Sequence, residues 1–173
     1  LYVGGNFTQV FQVDGTAVTA SKIARWNGTA WSAVGAGMVG GGGYHVWTMS
    51  VFDDGTGPGL FVGGQFNLAS PGAASNIARW SGTAWTSLGS TSPLNGQAKA
   101  LAPFDHNGRS QLFVGGTFTT VQGSSSGRIA AWQSGRPLGP GSASADPQVL
   151  CAGSATVLTA TPAGSAEVDW HEG

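Results

Sequence analysis

The sequence predicts an all-β fold assembled from repeated small antiparallel sheets, and three observations carry that expectation. An apolar segment ending in a double Gly occurs three times: Leu1-Tyr2-Val3-Gly4-Gly5-Asn6-Phe7, Leu60-Phe61-Val62-Gly63-Gly64-Gln65-Phe66 and Leu112-Phe113-Val114-Gly115-Gly116-Thr117-Phe118. A second element follows each one: Ile23-Ala24-Arg25-Trp26, Ile77-Ala78-Arg79-Trp80 and Ile129-Ala130-Ala131-Trp132. No window carries an i, i+3, i+4, i+7 apolar pattern with caps, so no helix is expected.

The repeat has a measurable period. Phe52 to Phe104, Gly64 to Gly116 and Trp80 to Trp132 are each 52 residues apart. The first unit differs by a longer connection: Gly5 to Gly64 is 59 residues and Ile23 to Ile77 is 54. The five extra residues lie between Phe7 and Ile23 and are expected in a loop. The units run over about 1–35, 46–89 and 98–135.

The middle unit parses into four strands. Val46 to Phe52 alternates, which places Trp47, Met49 and Val51 on one face and Thr48 and Ser50 on the other. Asp53 to Gly59 is a turn, Leu60 to Phe66 the second strand, and Asn67 to Ser75 a loop. Ile77 to Trp80 is the third strand, Ser81-Gly82 a tight turn, and Trp85 to Leu88 the fourth strand. In the first unit that turn is Asn27-Gly28, which suits the positive φ angles of a two-residue type I′ hairpin. Four short antiparallel strands in about 50 residues is the blade of a β-propeller, and three blades leave a ring incomplete. The Gly pairs would let neighbouring sheets approach closely. Trp26/Trp31 and Trp80/Trp85 would sit across the hairpin and fill the gap between blades.

The third unit ends differently. After Trp132 come Gln133 to Pro140 with two Pro and no second Trp, so no regular fourth strand is expected there. Blades therefore occupy 1–139. Arg136 to Pro147, rich in Gly, Ser, Ala and Pro, has a linker composition. Residues 148–173 read as three further strands around Val149, Val157 and Val168. Cys151 is alone, so no disulfide framework or CxxC metal pair exists.

Two resemblances rest on these residues. A double Gly ending an apolar strand, followed by an aromatic and then Trp, resembles the kelch repeat, on Gly63-Gly64, Trp80, Trp85 and on Gly4-Gly5, Trp26, Trp31. The whole unit looks like the kelch-like propeller repeats of large bacterial secreted proteins. That resemblance implies a last blade completed by a strand from the other end of the ring, which would make the third unit the final blade. The run from Cys151 to Pro162, with Val168-Asp169-Trp170, resembles the opening of bacterial immunoglobulin-like modules. It implies that 148–173 is the truncated start of an Ig-like β-sandwich, with Trp170 at the core position.

Composition limits the function classes. Only 9% of residues are charged, the net charge is −1 and there are two Lys, so the basic stripe of a nucleic-acid binder is missing. No apolar run approaches the roughly 20 residues of a membrane span. The chain opens in mid-strand without a signal-peptide pattern and reads as a piece of a longer protein, expected by resemblance to be secreted or on the cell surface.

Chemistry-bearing residues are few. Asp53-Asp54-Gly55 is a weak calcium candidate through its paired carboxylates, though Asp and Gly are equally turn formers. Arg25 and Arg79 recur at one position, where the third unit has Ala131; local pairing or stacking on Trp is expected, with a ligand site shared across blades as the alternative. His45, His106 and His171 fall on different elements, with His45 expected on a flexible loop. Tyr2, Tyr44 and Cys151 do not make the coordinated set of a copper-radical oxidase. Asn6-Phe7-Thr8 and Asn27-Gly28-Thr29 match glycosylation sequons. No catalytic, cofactor or metal residue is assigned and no cofactor is expected. The reading is a non-catalytic binding or display module for a protein or glycan partner, with the missing blades and Ig-like strands supplied by the same parent chain. The alternative is a propeller-fold hydrolase, lyase or oxidase whose catalytic residues lie in other blades.

Overall fold

The computed structural model describes residues 1–39, 43–68, 74–89, 93–106, 109–133 and 136–138. The chain divides into Leu1–Gly141 and Ser142–Gly173, and the described residues all belong to the first unit. The expected linker beyond Leu138 and the Ig-like run 148–173, with Cys151, Trp170 and His171, lie outside the described residues.

The fold is all-β, with no helix among the described residues. The strands are β1 (Tyr2–Gly4), β2 (Gln9–Phe11), β3 (Ala17–Thr19), β4 (Ile23–Trp26), β5 (Trp31–Ala33), β6 (Met38–Val39), β7 (His45–Asp53) and β8 (Pro58–Leu68), then β9 (Ser75–Trp80), β10 (Trp85–Thr86), β11 (Ala98–His106), β12 (Arg109–Gly116), β13 (Thr120–Val121), β14 (Ser124–Ser125), β15 (Ile129–Gln133) and β16 (Arg136–Leu138). Three antiparallel sheets match the repeats: β1-β4-β5, β7-β8-β9-β10 and β11-β12-β15-β16. The connectors after β5 and β10 each tie one sheet to the next. Met38 pairs with Leu68 through β6, and Leu94 bridges Val121.

Two cores sit between the sheets. Ile23, Val34, Met38, Leu60, Val62 and Trp85 pack between the first and second sheets. Phe61, Ile77, Leu88, Leu112, Val114 and Trp132 pack between the second and third. Strand β8 serves both: Leu60 and Val62 belong to one core and Phe61 to the other. That is why the repeated Leu-aromatic-Val run has no polar alternation, since a strand buried on both faces reads as continuously apolar.

The glycine pair has two separate reasons. A Cβ on Gly4 would strike Val46 and come within 3.2 Å of Met49, both on the next sheet. A Cβ on Gly63 would lie 3.0 Å from the Ala98 Cβ of the next sheet and 2.8 Å from Thr48 of its own. Val46 and Ala98 are equivalent positions, so the first Gly lets the following sheet approach, as expected. The second Gly meets its own sheet instead. A Cβ on Gly64 would strike the His45 carbonyl, and one on Gly116 the equivalent Gln97 carbonyl. These carbonyls lie one residue before the bulges between Val46 and Thr48 and between Ala98 and Ala100.

The bulge breaks the expected alternation of the first strand at Trp47, while Met49 and Val51 still alternate with Thr48 and Ser50. Trp47 is the extra residue there and is 46% exposed, while Val46 and Phe52 are buried and Val51 is 65% exposed. One inserted residue moves every side chain before it to the opposite face.

The expected two-residue turns are also corrected. Trp26 faces Trp31 and Trp80 faces Trp85 in the ladder, which leaves four-residue loops, Asn27–Ala30 and Ser81–Ala84. Asn27 Oδ1 accepts from Thr29 N and Ala30 N at 2.8 Å, and Ser81 Oγ accepts from the equivalent Thr83 N and Ala84 N. These side chains take over the turn donors, so Asn27 needs no positive φ. Two successive positive φ angles, the I′ pattern, occur instead at Gln122 (49°) and Gly123 (83°), between β13 and β14.

Two further expectations change. The extra residues between Phe7 and Ile23 form the β2–β3 hairpin rather than an irregular loop. Its Gln12 amide donates to Trp31 O and accepts from Trp31 N, both at 2.9 Å, completing the edge of β5 as a strand would. A fourth strand does exist in the third sheet: Arg136–Leu138 pairs with β15, with Pro137 opposite Trp132. An edge strand is paired on one side only, so a residue without N–H is tolerated there. The third sheet therefore needs no strand from elsewhere to reach four, and Arg136 to Leu138 is not linker.

Candidate functional site

The site is built at one end of the second and third sheets. A cavity of about 520 Å³ opens there, lined by Tyr44, by Gln65, Asn67, Ser75 and Asn76 of the second unit, and by Leu94 to Gln97 and Thr117 of the third. Its residues come from repeat positions next to the double Gly and just before the Ile-Ala strand. The position after the Gly pair is Asn6, Gln65 or Thr117. The position before Ile is Lys22, Asn76 or Arg128. Each of these last three has a positive φ: 65°, 67° and 72°. The left-handed conformation is tolerated by Asn and costs more for Lys and Arg, so the surrounding ladder imposes it.

The third-unit wall is held rigidly. Asn95 Oδ1 accepts from Thr119 N at 2.8 Å and Thr120 N at 2.9 Å, and its amide donates to Thr119 Oγ1 at 3.0 Å. Gln97 N donates to Thr117 Oγ1 at 3.1 Å, and Thr117 N donates to Gln97 O at 3.0 Å. A Cβ on Gly96 would lie 2.8 Å from the Phe118 backbone, so this wall sits flush on the segment that joins β12 to β13.

The two walls meet through Gln97 Nε2, which donates to Gln65 Oε1 at 2.6 Å. On the second-unit wall, Ser75 Oγ donates to Asn67 Oδ1 at 2.8 Å and Asn76 Nδ2 donates to Leu94 O at 3.4 Å. Among the described residues, no side chain lining the cavity is formally charged. The arrangement can exchange hydrogen bonds with a neutral ligand, and it offers no nucleophile–base pair.

The corresponding end of the first interface is different. Lys22 is 7% exposed and its Nζ donates to Asn6 Oδ1 at 2.8 Å. The lysine takes up the place where the second unit has Asn76.

The remaining residues singled out from sequence have local partners. Asp53 Oδ1 accepts from Gly55 N at 2.8 Å and Gly57 N at 3.1 Å. Asp54 Oδ1 accepts from Thr56 N at 3.1 Å and from the Thr56 hydroxyl. Asp54 Oδ2 lies 3.3 Å from Arg79 Nε, close enough for an ion pair but off the hydrogen-bond direction, while Arg79 Nη2 donates to Gly57 O at 2.7 Å. The Asp-Asp-Gly turn is thus organised by its own N–H groups and by Arg79. No group of three His, Cys, Asp or Glu that could hold a metal occurs among the described residues. Arg79 also sits 6.0 Å from the centroid of Phe61, and Arg25 is exposed.

His45 is not on a loop: it opens β7 and stacks on Trp47 at 4.7 Å and 18°. Lys99, the bulge residue of β11, lies 4.4 Å from the Trp47 centroid. The Trp pairs fall on adjacent strands as expected, with centroids 5.3 Å apart for Trp26/Trp31 and 5.1 Å for Trp80/Trp85.

No family model, curated protein or solved structure matches the chain. The site therefore stands on its own geometry.

Sequence reasoning missed the cavity residues because amides carry no catalytic signature. The available signal was that two repeat columns, Asn6/Gln65/Thr117 and Lys22/Asn76/Arg128, are polar in all three units beside otherwise apolar strands. A Gly-x-Ser-x-Gly spacing also occurs, at Gly123 to Gly127. Its Ser125 is exposed in the β13–β14 hairpin, with no helix after it, so it is not a nucleophile elbow.

Proposed function

We propose that the chain is three consecutive blades of a kelch-like β-propeller that serve as a non-catalytic binding or display module of a secreted or cell-surface protein. The observation that carries the propeller reading is the repetition of one interface. Gly4 admits Val46 as Gly63 admits Ala98, so equivalent strands approach equivalent glycines in successive sheets. The first strands of the sheets are also close to their neighbours: β11 packs against β7 and β8, and β1 against β7. Sheets packed face to face in repeat order support that reading.

The binding reading is supported by the site. Its lining is neutral and hydrogen-bonding, and Asp53, Asp54 and His45 are spent on turns and stacking. The ligand is a protein or glycan presented to the ends of the sheets. The test is to immobilise the 173-residue chain, present arrayed glycans and candidate proteins, and follow both retention and chemical change of what is retained by mass spectrometry. Retention of an unaltered ligand is the expected result. Release of a cleaved or oxidised ligand would establish an enzyme instead.

A further inference from the structure

Resting on that binding-module reading, we infer that the cavity between the second and third sheets is a binding site for a neutral, polyhydroxylated ligand, a saccharide. Its volume, about 520 Å³, falls within the range of small-molecule sites. Such sites are usually apolar with a few polar groups; this one is lined mainly by amides and hydroxyls, so it suits a ligand whose own surface is polar.

The hydrogen-bonding capacity left over points to hydroxyls. Beyond the bonds that join the two walls, the amide NH2 of Gln65 and that of Asn67 have no partner among the described residues, nor do the carbonyl oxygens of Gln97 and Asn76. Donors and acceptors are therefore interleaved around one opening. A sugar hydroxyl both donates and accepts, so neighbouring hydroxyls can satisfy both kinds. A charged ligand would surrender its hydration with no opposite charge in the described lining to replace it. A protein partner would need anchors of the Trp, Tyr or Arg kind seated in a dry pocket, and among the described residues Tyr44 is the only such side chain lining this cavity.

Preorganisation favours the same ligand. Asn95 and Thr117 are already fixed to backbone, so the third-unit wall does not reorder on binding. Asn76 is held with φ at 67° by the ladder, which directs that position without a rotamer search of the main chain.

The test uses the 173-residue chain and neutral oligosaccharide series of glucose, xylose, mannose and N-acetylglucosamine, with binding read from side-chain amide chemical shifts. The expected result is a shift of the Gln65, Asn67 and Gln97 amides by at least one series, unaffected by added salt. Asn67→Ala should weaken binding about tenfold, roughly the effect of one lost neutral hydrogen bond. Asn76→Gly is the discriminating variant. Glycine accepts the positive φ, which offsets the loss of the Asn76 bond to Leu94 O, so melting should change little, while the lost amide should weaken binding by a similar factor. No shift with any series at a concentration on the order of 10 mM would overturn the proposal, as would binding unchanged in both variants. A protein ligand retained by both variants, with no sugar bound, would sink the saccharide site and leave the binding-module reading standing. Turnover of a sugar bound at these amides would support the site and overturn the non-catalytic reading.

Discussion

The two interfaces of this chain share a frame and differ in what fills it. At the first, Trp85 is 7% exposed and its Nε1 donates to Val34 O at 3.0 Å. At the second, the position opposite Trp132 is Pro137, and Leu88 O, the equivalent of Val34 O, accepts instead from Gln122 Nε2 at 3.5 Å. Trp132 is buried with its Nε1 lacking a hydrogen-bond partner among the described residues. At the sheet ends, Lys22 closes onto Asn6 in the first interface, while the second keeps an open cavity. The difference teaches that the glycine contacts set the spacing and the remaining side chains are adjusted locally to it.

The largest effect should come from the tryptophans. Trp85→Ala is expected to lower stability by about 3–5 kcal/mol, since it empties an aromatic core site, and Trp80→Ala by less because Trp80 is only half-buried. Trp85→Phe against Trp132→Phe isolates the polar part. The first removes one of two donors to Val34 O, which keeps Gly37 N at 3.1 Å, whereas the second removes an orphaned donor, so the first should be the costlier by about 0.5–1.5 kcal/mol. Equal denaturation midpoints would mean that the indole N–H of Trp85 contributes nothing.

Next come the glycines. Gly63→Ala should destabilise by about 1–3 kcal/mol through overpacking against Ala98 and Thr48. Gly115 is its counterpart in the third sheet, where a Cβ would meet only Ala100 at 4.0 Å. Gly115→Ala should therefore stabilise, by about 0.4–1 kcal/mol, through a less flexible unfolded chain. Urea titrations giving the same sign for both would refute the interface role of the first Gly.

Lys22→Met should raise stability by about 1 kcal/mol, because a largely buried lysine with one neutral acceptor among the described residues gives way to a thioether stem of similar length. A drop in the melting temperature would show that the Asn6 contact outweighs burial.

How much of the fold is legible in the sequence depends on what repeats make visible. The three sheets, the continuous apolar run of Leu60 to Val62 and the Trp pairs can be read from spacing, because each depends on residue type at a fixed offset. The bulge at Trp47 cannot, since an alternating Val46–Phe52 run looks the same with or without an inserted residue. The edge strand through Pro137 is hidden by a rule that holds for central strands. The four-residue loops are obscured because Asn-Gly is read as a pair, while the Trp-to-Trp spacing, which leaves four residues, is the better guide. Of the candidate site only the repeated polar columns can be seen; the cavity arises from two sheets meeting, which no single unit encodes.

The smallest expected effect separates the β2–β3 hairpin from the β13–β14 one. Thr16 N donates to Asp14 Oδ1 at 2.8 Å, and this backbone bond, followed by the Thr16 side chain, holds the Asp14 carboxyl below its ordinary value. A lowered folded value means the contribution is present above the unfolded pKa and fades as pH falls through the folded one. Asp14 is fully exposed, so the change should be confined to the turn. A carboxyl titration by NMR should show a midpoint below that of a free Asp, with the Thr16 amide moving in step; an ordinary midpoint would remove the contact.

The left-handed residue before each Ile has a consequence for how such a chain can diversify. Lys22, Asn76 and Arg128 share one backbone conformation yet carry an amide in one unit and a long cation in the other two, so the main chain there does not select its side chain by fit. The second and third sheets thus each present one graft point whose identity can be exchanged while the ladder on either side is left intact, whereas the Lys22 position of the first is buried. A library randomised at positions 76 and 128 would sample new recognition surfaces on a constant scaffold, with glycine as the substitution that costs the backbone least.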